Sequence, residues 1–173
     1  IEQISWVKRA SVRRMLPDTV LIDLVERVPV ARWQIDGQTV LIDRDGKVLR
    51  GPDVEAYRHL KRVVGPGAAD KVGELFDMLA VEPELFARVK DAVRIRGRRW
   101  DLSFDNGVIA MLPEDGAELA WRHLATLERE KGILGKAIVA IDLRLPEKLV
   151  VKMLSDSVPP PPATPRKAGG KNA

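Results

Sequence analysis

Apolar and polar positions alternate in the first part of the chain. Over residues 19–26, apolar side chains recur at every second position from Val20 to Leu24. A two-residue repeat is typical of a β-strand. Residues 9–14 form a second, basic stretch of similar length, and a turn sequence containing Pro17 separates the two. The pattern therefore predicts a β-hairpin in this region.

The rest of the pattern predicts a mixture of strands and helices. Helical spacing favours one helix over residues 68–79, a short one after Pro83, and a third and longest one that begins at Pro113 and ends before Gly132. Two less regular stretches, 1–8 and 54–64, are interpreted as the end of a helix and as a partly helical segment. Further strands are predicted at residues 31–35, 39–42, 48–49, 91–95, 98–104, 108–112, 137–143 and 149–153.

Length and composition describe a globular chain. Its 173 residues are 45% hydrophobic and 31% charged, so a buried core is expected. The chain has no cysteine, which excludes disulfides and thiolate metal sites. No apolar run reaches the roughly 18 residues that cross a bilayer. Because the chain starts at Ile1 in the middle of a pattern, we expect a fragment whose beginning was cut away, and that missing piece could hold a membrane anchor.

The net charge of +4 is too small and too scattered to indicate nucleic-acid binding. Part of it lies in residues 155–173, a Pro-rich and basic segment that we expect to be a disordered tail. The best local basic candidate, around Trp100, is more simply interpreted as a solvated strand and turn.

Candidate catalytic chemistry is weak. No serine lies in a nucleophile motif, and His59 and His123 each stand alone. A hydrolase would need two acids at a defined separation, and nothing in the pattern pairs any two of them. We therefore predict that the chain is not an enzyme and holds no cofactor or metal. The acids near predicted strand ends are Glu26, Asp43, Asp45, Asp101, Asp105 and Asp142.

An ordered set of short motifs resembles the FtsQ/DivIB family of bacterial cell-division proteins. No single motif is specific, but their order is. A further match, Asp142-Leu143-Arg144, lies in the strongly apolar strand near the end. The other motifs are Trp6-Val7, Val12-Arg13-Arg14, Leu16-Pro17-Asp18-Thr19, Val25-Glu26, Pro29-Val30-Ala31-Trp33 and Leu41-Ile42-Asp43-Asp45-Gly46.

The resemblance implies an α+β fold in three parts. Residues 1–27 would be the remnant of a POTRA-type module that lacks its N-terminal strand and helix. Residues 28–154 would form a β domain of mostly antiparallel strands with helices on one face, and 155–173 the tail. Such proteins are single-pass inner-membrane proteins whose larger part lies in the periplasm. They act in septation as non-catalytic scaffolds.

The resemblance also implies partners and a binding site. The partners would be FtsB/FtsL-like division proteins, bound through the C-terminal edge strand, with other divisome components bound through the POTRA-type module. Leu145 and Met153 depart from the aromatic residues that some members carry there. The basic hairpin would be a second contact. The candidate partner-binding residues are Arg144, Leu145, Lys148, Leu149, Val151, Lys152, Met153, Arg98, Arg99 and Trp100.

Two alternatives remain open at this point. Val151 and Met153 could pack inward rather than face a partner, and the sequence favours neither outcome. The chain could also be a POTRA-containing protein of outer-membrane assembly or secretion that binds polypeptides. Such modules occur in tandem, and the chain has no second copy of the motif set, which argues against this alternative.

Overall fold

The computed structural model describes residues 4–51, 53–145 and 148–153, with the side chains of Lys148 and Leu149 excepted. The predicted tail at 155–173 lies outside these residues. The strands are β1 (Val7–Met15), β2 (Thr19–Glu26), β3 (Pro29–Ile35), β4 (Gln38–Asp43), β5 (Val48–Leu49), β6 (Arg62–Val64), β7 (Val89–Ile95), β8 (Arg99–Phe104), β9 (Ile109–Met111), β10 (Ile138–Leu145) and β11 (Lys148–Met153). The α-helices are α1 (Val72–Ala80), α2 (Pro83–Arg88) and α3 (Ala117–Lys131), and 3₁₀ turns lie at Val54–Tyr57, Ala69–Lys71 and Ile133–Gly135.

The strands form two separate sheets. Strands β1 and β2 pair with each other in a two-stranded antiparallel sheet. The other nine strands form one sheet in the order β11-β10-β9-β8-β7-β6-β3-β4-β5. Most neighbours in this sheet are antiparallel, but β6 is parallel to both β3 and β7, and β9 is parallel to β10. This arrangement confirms the predicted α+β fold class.

The core lies between one face of the nine-stranded sheet and the helices. We call this the inner face, and it carries the row Trp33, Val63, Ala92, Leu102, Ala110, Ile141 and Val151 across seven paired strands. Leu79 of α1 and Trp121 of α3 pack into the same hydrophobic cluster. The Trp121 indole N–H donates to the Leu79 carbonyl oxygen at 3.1 Å, which satisfies the one polar atom that this large side chain buries.

The opposite face of the sheet carries polar and apolar side chains in alternation from strand to strand. We call it the outer face, and its corresponding row is Val93, Asp101, Met111, Asp142 and Val150. Adjacent positions of a strand point to opposite faces, so this row lies one residue away from the inner row in every strand.

The hairpin β1–β2 packs little of its surface. Val7 is the one buried residue of these two strands, and all of β2 is exposed. A polar joint connects the hairpin to the large sheet. The Arg27 guanidinium donates to the Asp43 carboxylate at 2.5 Å, and the Trp6 indole N–H donates to the Arg50 carbonyl oxygen at 2.9 Å.

Some local predictions need correction. Ile4 to Trp6 form a bend and turn instead of a helix end, and Val7 already belongs to β1. Stretch 54–64 is a 3₁₀ turn followed by strand β6, because its apolar Val63 pairs with Ala92 in the sheet. Helix α3 starts at Ala117, since Gly116 before it adopts φ 74°, a left-handed conformation that cannot continue a helix.

Candidate functional site

Strand β11 is one outer strand of the nine-stranded sheet. It pairs with β10 alone among the described strands, and the opposite edge is the two-residue strand β5. An outer strand presents a row of backbone N–H and C=O groups that lack a neighbour within the sheet. At six residues, β11 is long enough to accept several ladder hydrogen bonds from an added strand.

The side chains of β11 divide between the two faces of the sheet. Val151 lies on the inner face, is half-buried and packs against the core cluster. Val150, on the outer face, is 53% exposed, and Met153 is 48% exposed. Lys152 is exposed as well. Of the two residues whose direction the sequence left open, Val151 thus packs inward, whereas Met153 keeps about half of its surface in solvent.

The end of β10 adds a charged group beside the edge. Arg144 is exposed, and its guanidinium donates to both oxygens of Asp142, at 2.9 and 2.5 Å. The Arg144 backbone N–H donates to the same carboxylate at 3.0 Å. Leu145, the next residue, is 57% exposed. Apolar and cationic side chains therefore lie together around the outer end of the β10–β11 pair.

Two carboxyl groups on the outer face have shifted pKa values in opposite directions. The hydrogen bonds from the Arg144 side chain hold the pKa of Asp142 below its ordinary range. Burial raises the pKa of Asp101, against the opposing effect of Arg99 and Arg144. The Asp142 carboxylate in turn raises the pKa of Arg144, so both members of that pair stay charged at neutral pH.

The basic hairpin around Arg98, Arg99 and Trp100 is less exposed to solvent than its sequence indicates. Trp100 is 7% exposed and belongs to the core cluster, because it shares the inner face with Leu102 and Phe104. Arg99 is half-buried and lies 3.5 Å from Asp101. Arg98 is exposed, with Glu114 at 3.8 Å. Of these three candidates, Arg98 is therefore the one that solvent reaches freely, and Trp100 acts as a packing residue in this conformation.

A shallow cleft adjoins this hairpin. Its volume is about 300 Å³, and the Arg94 guanidinium lies over the Trp100 ring at 5.0 Å from its centre. The cleft is lined by Lys71, Glu74, Leu75, Met78, Arg94, Arg98, Trp100, Pro113, Glu114 and Ala117.

Most of the acids that the sequence singled out pair with arginines. Asp43 pairs with Arg27, Asp105 with Arg88, and Asp142 with Arg144. No group of three or more potential metal-ligating side chains occurs in the part of the chain that the structure describes. These carboxylates serve as partners of arginines.

Sequence reasoning missed two residues of this region. The sequence does not single out Val150, because apolar residues stand on both sides of it and the pattern there has no clean alternation. The sequence analysis assigns Asp142 to a motif and to the acids near strand ends, and not to a pair with Arg144. The two-residue spacing was the available signal, since residues i and i+2 of a strand lie on the same face.

Two family models match consecutive parts of the chain. The family model described as cell division protein FtsQ/DivIB, C-terminal, matches residues 31–144, and the model of the FtsQ-type POTRA domain matches residues 1–27. The chain belongs to the FtsQ/DivIB family. This membership confirms the resemblance of the motifs, including the POTRA-type nature of the hairpin region.

Individual FtsQ proteins are similar over most of the chain. Cell division protein FtsQ of Caulobacter vibrioides is 38% identical over 163 residues, which are 94% of this chain and 54% of that protein. The FtsQ of Rhizobium radiobacter is 34% identical over 151 residues, 87% of this chain and 72% of its own length. The chain thus spans about half of the length of the Caulobacter relative.

A solved structure is also similar in part. The major extracytoplasmic domain of the cell division protein DivIB from Geobacillus stearothermophilus covers 65% of this chain and 99% of its own, with 14% identity and a TM-score of 0.41. Within the described residues, none of the helices is long and apolar enough to cross a membrane.

Proposed function

We propose that this chain is the periplasmic part of a non-catalytic divisome scaffold that binds FtsB/FtsL-like partners by strand addition to β11. In the whole protein a single N-terminal span would hold it to the inner membrane, and the POTRA-type region would contact other divisome components. Membership of a family of cell division proteins supports the scaffold role. It does not favour the alternative of an outer-membrane assembly protein.

One observation supports the binding mode most directly. Strand β11 lies at the edge of a nine-stranded sheet and presents Val150, Lys152 and Met153 to solvent. An added strand would gain backbone hydrogen bonds along β11, and its side chains would alternate between the two faces. Residues on its inner face would cover Val151 and extend the core, and residues on its outer face would lie beside Val150 and Lys152.

The charges favour an acidic partner segment. Lys148 and Lys152 belong to the edge strand β11, and Arg144 lies near the end of the neighbouring strand β10. The candidate residues Leu145, Leu149, Val151 and Met153 would supply apolar contact area. Arg98 and Arg99, with Trp100 behind them, remain a proposed second contact, in which Arg98 would carry the accessible charge.

The test is a titration of the whole chain with the extracytoplasmic segment of the FtsB-like protein of the same organism. We expect saturable binding, with amide NMR shifts concentrated between Arg144 and Met153. Val150→Asp should weaken binding by about tenfold or more, because a charge would be buried at the centre of the contact. Leu149→Asp and Val151→Asp should abolish binding.

A matched control separates the edge from general surface effects. Leu119→Asp makes the same kind of change on α3, where Leu119 is exposed, and it should leave affinity unchanged. Shifts that map away from β11 would overturn the edge-strand mechanism. A folded chain that does not bind would overturn the choice of partner. Unfolding of Val151→Asp, with Val150→Asp folded, would assign Val151 to the core alone.

A further inference from the structure

The outer face carries an acid directly beside the proposed binding edge. In the register of the sheet, Asp142 lies opposite Val150 of β11 on one side and Met111 of β9 on the other. Strand β11 therefore lies between Asp142 and any strand that is added to the edge. A carboxylate in this place is unexpected for a site that takes an acidic segment, because like charges repel.

The contacts of Asp142 resolve this conflict. Its two oxygens accept three hydrogen bonds from Arg144, one from the backbone N–H and two from the guanidinium, at 3.0, 2.9 and 2.5 Å. The carboxylate is thus occupied by Arg144 and does not face the edge as a free charge. Arg144 itself keeps a side chain that is 45% exposed.

An arginine held in this way still has N–H donors that its carboxylate partner does not use. The guanidinium has five N–H groups in a fixed fork, and the Asp142 contacts use one on Nε and one on Nη2. Among the described residues, the Nη1 donors and the second Nη2 donor have no hydrogen-bond partner. An arginine side chain that moves freely loses rotamer entropy when it is fixed on binding, and prior fixation lowers this cost.

We infer that Asp142 is a positioning residue for partner binding: it holds the Arg144 guanidinium on the outer face at the edge, ready to receive a carboxylate of the added strand. The inference rests on the proposed function. Asp142 does not touch the partner in this arrangement, and it acts through Arg144. Asp101, in the same row of the outer face, adds a second negative charge near Arg144 and favours the same placement.

Removal of the Asp142 charge distinguishes this role from a plain charge effect. If Asp142 acted as a free acid near an acidic partner, Asp142→Asn would strengthen binding. Because it positions Arg144, the substitution should instead weaken binding about threefold to tenfold, which is the range of one ordinary hydrogen bond. Asp142→Glu keeps the charge and should recover part of the loss.

The experiment is a double-mutant cycle on the whole chain, with calorimetric titration against the same FtsB-like segment. Asp142→Asn, Arg144→Gln and the double variant are compared, and the loss from Asp142→Asn should disappear when Arg144 is already replaced. Asp23→Asn is the matched control, since Asp23 pairs with Arg13 at 2.9 Å in the hairpin and the change in net charge is the same.

A spectroscopic readout reports the positioning itself. In the free chain, the Arg144 Nε–H should exchange slowly with water and should exchange faster in Asp142→Asn. Tighter or unchanged binding of Asp142→Asn, or equal losses with and without Arg144, would overturn the inference while the proposed function stands. Failure of the unmodified chain to bind would overturn the proposed function and the inference with it.

Discussion

The hairpin β1–β2 and the nine-stranded sheet use the same kind of sequence pattern with different results. Leu24 in β2 and Leu102 in β8 both occupy alternating apolar positions of antiparallel strands. Leu24 is 51% exposed, whereas Leu102 is fully buried. The difference lies in what covers each face: helices lie on the inner face around Leu102, and the apolar face of the hairpin carries no second layer within the described residues.

This contrast shows that alternation specifies a face and not its burial. A two-stranded sheet by itself is marginal in water, and its stability depends on a layer packed against it. The apolar side of the hairpin pairs Val12 with Ile22 and Ala10 with Leu24. The hairpin is held to the rest of the molecule by polar contacts at its base, through Arg27 and Trp6.

The largest expected effect is the loss of stability on truncating Leu102. Leu102→Ala should lower the free energy of unfolding by about 2–5 kcal/mol, because it opens a cavity in a core that cannot collapse fully around it. Leu24→Ala should change the same quantity by no more than about 0.5–1 kcal/mol, since half of its surface is already in water. Urea unfolding followed by tryptophan fluorescence measures both.

Both variants replace leucine by alanine, so the difference between their losses of unfolding free energy reports the difference in burial. Equal losses would mean that the hairpin face is covered in solution, by a second copy of the chain for example. In that case the loss in Leu24→Ala would depend on protein concentration, and sedimentation would detect the dimer.

The second effect concerns the joint between the two regions. Asp43 is 3% exposed, and Arg27 supplies its counter-charge, while the backbone N–H groups of Asp45 and Lys47 also donate to it. Arg27→Met should lower the free energy of unfolding by about 3 kcal/mol. This value is at the lower end for a broken buried ion pair, because the two backbone hydrogen bonds to Asp43 remain. Thermal and urea unfolding measure this loss.

The control for the joint is an ion pair of the same kind on the hairpin. Arg13 and Asp23 are both mostly exposed, so Arg13→Met should alter stability by less than about 0.5 kcal/mol. A loss below about 1 kcal/mol in Arg27→Met would show that water reaches Asp43 and that the joint is loose.

Much of the local structure could be predicted from sequence, because turns are encoded locally. The loop between β8 and β9 lies in the gap between the strands predicted at 98–104 and 108–112, and the short helix predicted after Pro83 begins at that residue. The parallel pairing of β6 with β3 and β7 could not be predicted, since strands that are distant along the chain meet there and no local pattern records which ones. The domain boundaries at residues 27 and 154 stay predictions.

The candidate site was predictable in position and less so in its side chains. The sequence places this strand last among the predicted strands, and in the sheet β11 is an outer strand on which Lys152 and Met153 are exposed. Binding at these residues stays a prediction. The neighbouring Arg98 and Arg99 favour a solvated strand around Trp100, whereas the structure buries this tryptophan. Its alternation with Leu102 and Phe104 was a sufficient signal, since the three share one face of β8.

The smallest expected effect is a change in pH dependence on the outer face of the large sheet. The pKa of Asp142 is lowered from its ordinary value of 3.8 by the hydrogen bonds from Arg144. The unfolded chain therefore binds a proton at this residue at a higher pH than the folded chain does. The stability that the pair contributes is present above pH 3.8 and is lost as the pH falls through the lower, folded-state pKa.

Asp142→Asn removes this contribution, so its unfolding free energy should lie below that of the unmodified chain at neutral pH and converge with it in acid. Burial raises the pKa of Asp101, which acts with the opposite sign in both proteins and largely cancels in their difference. Urea titrations from about pH 2 to about pH 7 measure the two curves. Curves that stay parallel throughout would mean that Arg144 does not hold Asp142 in solution, and the positioning of Arg144 at the edge would then lose its basis.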